Sequence, residues 1–446
     1  MNILLVNPHD ATYRHGRSAF KRSVNYYALT LPTLAALVPE RLGASVRIVD
    51  EGVEELTGLE DADLVGITAI TTSAPRAYVL ADLARKLGKT VVLGGPHPTL
   101  LPDEAQPHAD SIVLGFAEQS WPRLLDDWVA GRLQPRYSQG DEAVDLAAVP
   151  IARRDLLRLD RYLSVPVLQA SRGCPNECSF CAIPAVWGRG FHHRPIPSVI
   201  EEIRSLRART ILFLDPSLAE DPPYARALME ALIPLRIRWA GLTTIKLALD
   251  PAMLDLAERS GCLGLLVGFE TLAEESLRAL RKRFSQAASY EKAIQAMHDR
   301  GLRVLGTFVF GLDEDDESVF ERTAEFIDRT RIDLVRYSVF TPFPGTPVFR
   351  QLEQEGRILT RDWGQYNTER VVFRPKRMAP ERLEEGLREA WARTFSPRSI
   401  LHRSRLFKAH WAYTLAANLG FRFYARRVVG LPGRAPPLFS PATGTS

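Results

Sequence analysis

Ser171-Arg-Gly-Cys174-Pro-Asn-Glu-Cys178-Ser-Phe-Cys181 is the stretch around which the rest of this 446-residue chain is read. Three of its four cysteines fall here, spaced C-x3-C-x2-C. The run Pro166-Val-Leu-Gln-Ala170 ahead of them reads as a short buried strand. The cysteines then lie on a loop, where Gly173 and Pro175 allow tight turns. Thiolates this crowded need a multivalent metal centre to neutralise them. A structural zinc site closes with four ligands, and an electron-transfer cluster normally takes four cysteines. A 4Fe–4S cluster on three would keep one iron open to a substrate. The alternatives are zinc completed by His192 or His193, and chance clustering of core thiols. Zinc spacing usually sets a second ligand pair far from the first.

With Phe180 just before the last cysteine, the loop resembles the cluster loop of the radical S-adenosylmethionine (SAM) superfamily. That resemblance implies that Cys174, Cys178 and Cys181 hold a 4Fe–4S cluster whose open iron binds the amino and carboxylate groups of SAM. One electron from the cluster would cleave SAM to methionine and a 5′-deoxyadenosyl radical. The electron would come from a low-potential donor, a flavodoxin or ferredoxin.

Length sets an expectation of two or three domains. Lys plus Arg number 57 against 53 for Asp plus Glu, a net +4 that argues against a dedicated nucleic-acid binder. No run approaches the ~18 apolar residues of a membrane span. Met1-Asn-Ile-Leu-Leu-Val-Asn lacks a charged n-region, so no secretion signal is expected. Cys262 reads as a core thiol, and so few cysteines give no disulfide framework; the expected compartment is the reducing cytoplasm.

Residues 1–135 alternate apolar strand candidates (Asn2–Val6, Val46–Val49, Leu64–Thr68, Thr90–Leu93, Ser111–Leu114) with helical spacing at Leu29–Leu42, Pro75–Leu87 and Glu118–Val129. This predicts an α/β domain with a parallel, Rossmann-like sheet of flavodoxin type, binding ligands at the loops after its strands. Those loops are Asn7-Pro-His9, Thr68–Ser73, Gly94–Thr99 and Gly115–Glu118. No G-x-G-x-x-G follows the first strand, which disfavours a dinucleotide. The pattern resembles the cobalamin-binding domain that precedes many radical SAM domains, through Leu5-Val-Asn-Pro8, Ser45–Asp50, Val65-Gly-Ile-Thr68, Val91–Thr99 and Gly115-x-x-Glu118. The resemblance implies cobalamin at Asn7, His9, Thr68, Ile70, Thr71, Thr72, Gly94, Gly95, His97, Thr99, Gly115 and Glu118. The usual D-x-H-x-x-G of cobalamin domains is missing, since His15-Gly16 follows Ala11-Thr-Tyr-Arg14. A lower cobalt face without histidine, covered by Ile70–Thr72, is therefore expected.

Residues 136–165 are polar and read as a linker. From 166 to 350 the β/α alternation resumes, with strands at Ile211–Leu214, Trp239–Thr244, Leu263–Phe269, Val304–Phe310 and Val335–Thr341. Helices are expected at Pro197–Arg207, Pro222–Leu232, Pro251–Ser260 and Tyr290–Arg300. With the strand before the cysteines this makes a partial (β/α)6 barrel, its chemistry at the strands' carboxyl ends. The family resemblance implies Arg194 for SAM's carboxylate, set against a solvated basic loop. Asp215 closes a strand but is followed by Pro216, where relatives often carry a second acid. Glu270 ends the apolar run Leu263–Phe269 and needs a partner: SAM's ribose or amine, or an ion pair with Arg303 or Lys246. Gly306–Gly311, with Thr307, resembles the strand against adenine. Thr341-Pro-Phe-Pro-Gly-Thr-Pro347 resembles the segment that ends such barrels.

Residues 351–446 are expected to be mainly helical with a disordered tail. Glu381–Phe395 carries Leu383, Leu387 and Trp391 on one face. The aromatic, basic segment from His410 either packs over the barrel or touches a membrane or lipid. Together these features resemble cobalamin-dependent radical SAM methyltransferases. The resemblance implies one SAM as methyl source for cobalamin, a second as radical source, and a small-molecule or lipid substrate methylated at an unactivated centre. The alternative is cyclisation or rearrangement without methyl transfer. A methylthiotransferase needs a second cluster, but residues 1–173 hold no cysteine. A non-enzymatic electron carrier or zinc-stapled protein needs a fourth ligand near the loop.

Overall fold

The computed structural model describes residues 1–10, 26–139, 144–162, 165–404 and 411–429. The first sheet holds β1 (Asn2–Asn7), β2 (Ser45–Asp50), β3 (Leu64–Thr68), β4 (Thr90–Gly94), β5 (Ser111–Leu114) and β6 (Arg136–Ser138). Its order is β2-β1-β3-β4-β5-β6, with every pair parallel. Strands such as Leu64-Val-Gly-Ile are apolar throughout because both faces are covered: Leu4, Val6 and Leu80 pack on one side, Ile3, Leu5 and Trp121 on the other. The order reverses between β1 and β3, the switch point where such sheets open a crevice for ligands. The expected linker thus begins inside this sheet, since Ile112 pairs with Arg136 and Val113 with Tyr137. Three residues are too few to show periodicity, which is why β6 was not legible in the sequence.

The second sheet contains β7 (Val167–Leu168), then, past an antiparallel hairpin of β8 (Ser171–Gly173) and β9 (Phe191–His193), β10 (Thr210–Phe213), β11 (Arg238–Thr243), β12 (Cys262–Glu270), β13 (Arg303–Phe310) and β14 (Leu334–Val339). The order β14-β13-β12-β11-β10-β7 is fully parallel: a six-stranded open barrel. Phe213, Trp239, Phe269, Phe308 and Tyr337 are buried against the helical layer. Their neighbours Leu212, Ala240, Leu266 and Thr307 face the concave side and are half-buried.

Both edges of the barrel are covered. At β7 the Val167 N–H donates to the Tyr27 hydroxyl (3.2 Å), and Tyr162 donates to Asp50 Oδ2 (2.6 Å). Leu212 and Leu214 pack there against Tyr27, Val53 and Tyr162. At β14 the helices Pro380–Thr394 and Trp411–Val429 close the edge, with Tyr337 edge-on to Trp391 and Phe421 stacked on Trp391 and Phe395. Arg403, 0% exposed, donates to the carbonyls of Ile332, Asp333 and Thr394 and to Asn418 Oδ1. The last helix therefore packs over its own barrel. The tail from 430 and the segment through His15 lie outside the described residues.

Candidate active site

The three cysteines occupy the crossing from β8 to the helix Ala182–Trp187. Gly173 holds φ +81, where a Cβ would meet the Gly190 backbone, so the loop is pinned to β9 by a residue only glycine can be. Cys174 Sγ accepts from Asn176 Nδ2 at 3.3 Å, and the Cys181 N–H closes a turn on the Cys178 carbonyl. All three thiols are free and partly exposed. Burial pushes Cys178 up to about 12 and Cys181 up to about 11, while Lys282 pulls both down. The thiols are close enough to feel one another's charge. Three thiolates on one loop are the ligand type that holds a 4Fe–4S cluster with one iron left open. Phe180 packs against the barrel core.

Behind the loop, Asp215 and Arg194 act as braces. Asp215, 0% exposed, accepts from the Ser171 hydroxyl (2.6 Å) and from the N–H groups of Ser171 and Ala170. Burial lifts its carboxyl to about 6 against those hydrogen bonds. It is spent on the backbone that enters the cluster loop and cannot also reach SAM. Arg194 pairs with Glu202 and donates to the Gln169 carbonyl (3.0 Å); Glu202 also takes Arg154 at 2.5 Å. Two guanidiniums share one buried acid, which leaves a net positive charge behind the loop with the Arg194 Nε unpartnered among the described residues.

Glu270 is different. It holds φ +65 at the end of β12, where the register slips between Gly268 and Glu270. A non-glycine residue in left-handed backbone signals strain, and strain gathers at functional sites. Its partner is neither Arg303 nor Lys246 but Lys282, whose Nζ lies 2.6 Å from Oε1 and 2.7 Å from the Gly268 carbonyl. Gly268 lacks the Cβ that would meet both side chains on the concave face. Thr307 faces the same side from β13, in register with Gly268. Lys282 was not legible: it follows Glu270 in Arg281-Lys-Arg283 with no periodicity to mark it.

The first sheet's carboxyl rim comes up against this loop. Gly95 holds φ +96, and a Cβ there would stand 2.7 Å from Thr68 Oγ1 and 2.9 Å from the Ala69 carbonyl. Thr99 staples two loops, donating to the Gly95 carbonyl (2.8 Å) and accepting from the Gly115 N–H (3.0 Å). A Cβ on Gly94 would only touch Val113, at 3.7 Å, and Gly115 takes φ +69. Asn7 donates to Asp50 (3.0 Å), the His9 N–H to Glu51 (3.2 Å), and Thr72 to Asp10 (2.7 Å). Thr71 is buried while Ile70 stays 52% exposed, an apolar cap above the switch point. Glycines at 94, 95 and 115 let a ligand approach the backbone of this rim closely, which suits a bulky cofactor such as cobalamin. His97 does not belong to the contact surface. It is 0% exposed, 3.2 Å from Glu104 and edge-on to Trp363, which also donates to Glu104 (2.9 Å). Glu118 likewise turns away, into an ion pair with Arg172 beside the cluster loop. Phe116 meets His192 and Trp187 at 5.7 and 6.4 Å. Two cofactor rims thus share one seam.

Comparison with known proteins agrees with this geometry. The family described as the radical SAM superfamily matches residues 168–327, the B12 binding domain residues 26–125, and a domain of unknown function residues 346–419. The chain is 31% identical over 360 residues to bacteriochlorophyllide d C-12(1)-methyltransferase of Chlorobaculum tepidum, covering 79% of this chain and 78% of that one. It is 24% identical to the hopanoid C-2 methylase of Rhodopseudomonas palustris, covering 85% and 73%. The fold matches the radical SAM methyltransferase TsrM of Kitasatospora setae, solved with cobalamin and a [4Fe-4S] cluster: TM-score 0.71, 15% identity, 96% of this chain and 100% of that one.

Proposed function

The chain belongs to the cobalamin-dependent radical SAM methyltransferases, and we propose that it methylates an unactivated carbon centre of a small-molecule or lipid substrate in the seam between its two sheets. The observation that carries this reading is the pairing of rims: Glu118 and Phe116 of the first sheet touch Arg172, Trp187 and His192 around the cysteine loop. When bound, the 4Fe–4S cluster and SAM supply a 5′-deoxyadenosyl radical, and cobalamin supplies the methyl group. Cys174, Cys178 and Cys181 would hold the cluster. Glu270, fixed by Lys282, would accept hydrogen bonds from SAM, with Thr307 beside it. The Ile70 loop and Gly94–Thr99 would seat cobalamin, and Ile70 would keep water from its lower face.

Among the described residues no helix is long and apolar enough to cross a membrane. A 4Fe–4S cluster on this loop would need a reducing compartment such as the cytoplasm, and a low-potential flavodoxin or ferredoxin would supply its electron.

The test is an anaerobic assay of protein reconstituted with iron, sulfide and cobalamin, given SAM and a low-potential reductant. S-adenosylhomocysteine that depends on cobalamin, together with 5′-deoxyadenosine, supports methyl transfer. 5′-Deoxyadenosine alone would favour cyclisation or rearrangement, and neither product, with an intact cluster, would contradict the reading. Cys181→Ala is the control.

A further inference from the structure

The concave side of the barrel carries one cation that none of these cofactor contacts uses. Arg336 stands on β14 in register with Thr307, and the next pair, Phe308 and Tyr337, points into the helical layer. Alternation along the strand therefore turns Arg336 to the concave side. It is exposed, and among the described residues it makes neither a hydrogen bond nor an ion pair.

Its surroundings are built rather than loose. Thr368 holds φ +65, a backbone that a β-branched residue rarely adopts, and its carbonyl accepts from the Val339 N–H at the end of β14 (2.7 Å). Asn367 Oδ1 accepts from the N–H groups of Glu369 and Arg370, fixing the turn. Glu369 is held in turn by the Tyr424 hydroxyl at 2.5 Å. Its carboxyl is raised by burial, with Arg336 and Asp10 both within electrostatic reach. Glu369 feels the Arg336 charge but accepts its hydrogen bond from Tyr424, and no hydrogen bond or ion pair joins it to Arg336, so the guanidinium fork stays open to a ligand. Asp10 belongs to the loop after β1, where Thr72 binds it. Arg336 therefore lies where the SAM face of the barrel, marked by Thr307, approaches the cobalamin rim, marked by Thr72. Besides Arg336, Thr307 and the Glu270–Lys282 pair, the concave side carries the half-buried apolar residues Leu242, Leu266, Leu305 and Val309.

A guanidinium is charged at every working pH and presents a planar fork that fits a carboxylate or a phosphate. We propose that Arg336 anchors an acidic group of the methyl acceptor, so that the substrate is an amphipathic molecule with an apolar body and a carboxylate or phosphate at one end. This rests on the methyltransferase reading of the same cleft and adds the substrate's chemical class to it.

The test is equilibrium dialysis of the full, reconstituted chain against two matched pairs: protoporphyrin IX with its dimethyl ester, and dodecyl phosphate with dodecanol. In the wild type at least one acid should bind about tenfold or more tightly than its neutral partner, the range of a charge-assisted hydrogen bond. Arg336→Gln should bring that ratio to about one with the neutral probes unchanged, and Arg336→Lys should restore part of it. A preference confined to the porphyrin assigns a carboxylate; one confined to the alkyl chain assigns a phosphate. Equal binding of acid and neutral forms, a preference that survives in Arg336→Gln, or no binding of any probe would overturn the anchor. A protein that meets any of those outcomes yet makes S-adenosylhomocysteine and 5′-deoxyadenosine would lose the anchor and keep the methyltransferase reading.

Discussion

Lys282 and Glu270 form an ion pair of 2.6 Å over the bare backbone of Gly268, with Lys282 5% and Glu270 12% exposed on their side chains. The pair stands where the barrel's concave face meets the cysteine loop, and the ammonium acts on Cys178 and Cys181 alike. It therefore couples a strained carboxylate to the electrostatics of the cluster.

Lys282→Met removes a positive charge that favours the reduced cluster. The midpoint potential should fall by on the order of 60 mV, the one-electron equivalent of about 1.4 kcal/mol. SAM affinity should also drop, because Glu270 is left without its partner. Lys282→Arg should keep most of the potential. A redox titration followed by paramagnetic resonance reads this, and an unchanged potential in Lys282→Met would contradict it.

Asp215 gives a pH dependence with a definite sign. Its folded value, raised to about 6, lies above the ordinary value of 3.8, so the folded state holds its proton more tightly. The stabilisation is complete below pH ~4 and is lost as pH rises through ~6, an effect on the order of 2–3 kcal/mol. Thermal unfolding of wild type and Asp215→Asn should therefore diverge between pH 4 and 6 and run parallel above it. Asp215→Ala should cost about 2–4 kcal/mol and lower cluster occupancy, since three buried donors lose their acceptor.

Gly95→Ala places a methyl group against Thr68 and Ala69 in a backbone at φ +96. The strain, about 1–3 kcal/mol, should distort the loop that Thr99 staples. Cobalamin affinity should fall more than tenfold while iron content stays at the wild-type level. Equal loss of both cofactors would mean that the fold, and not the rim, had failed.

Glu118→Ala leaves the half-buried Arg172 without its acid, at a cost of about 1–3 kcal/mol, less than for a fully buried pair. The double variant Glu118→Leu with Arg172→Met should recover most of the loss. A Tm series over the four proteins measures the coupling, and additive losses would show that the seam does not depend on this pair.

The β/α alternation and the cluster spacing were legible because buried parallel strands write continuous apolar runs, and C-x3-C-x2-C has few meanings. Six strand positions of the barrel follow from such runs. Pairing was not legible. Asp215, Arg194, His97 and Glu118 each bear a residue type suited to a ligand, but the fold turns them onto Ser171, Glu202, Glu104 and Arg172. Lys282 and Arg336 came forward only when register and backbone strain fixed what they face.

The two cofactor rims share one seam, which would bring cluster and cobalt within magnetic reach of each other. Paramagnetic resonance of the reconstituted protein, reduced so that cluster and cobalt are both paramagnetic, tests it most directly. Both signals should broaden and relax faster than in isolation, with the cobalt signal reverting to its isolated form in Cys181→Ala. Two sharp, independent signals in the wild type would contradict it.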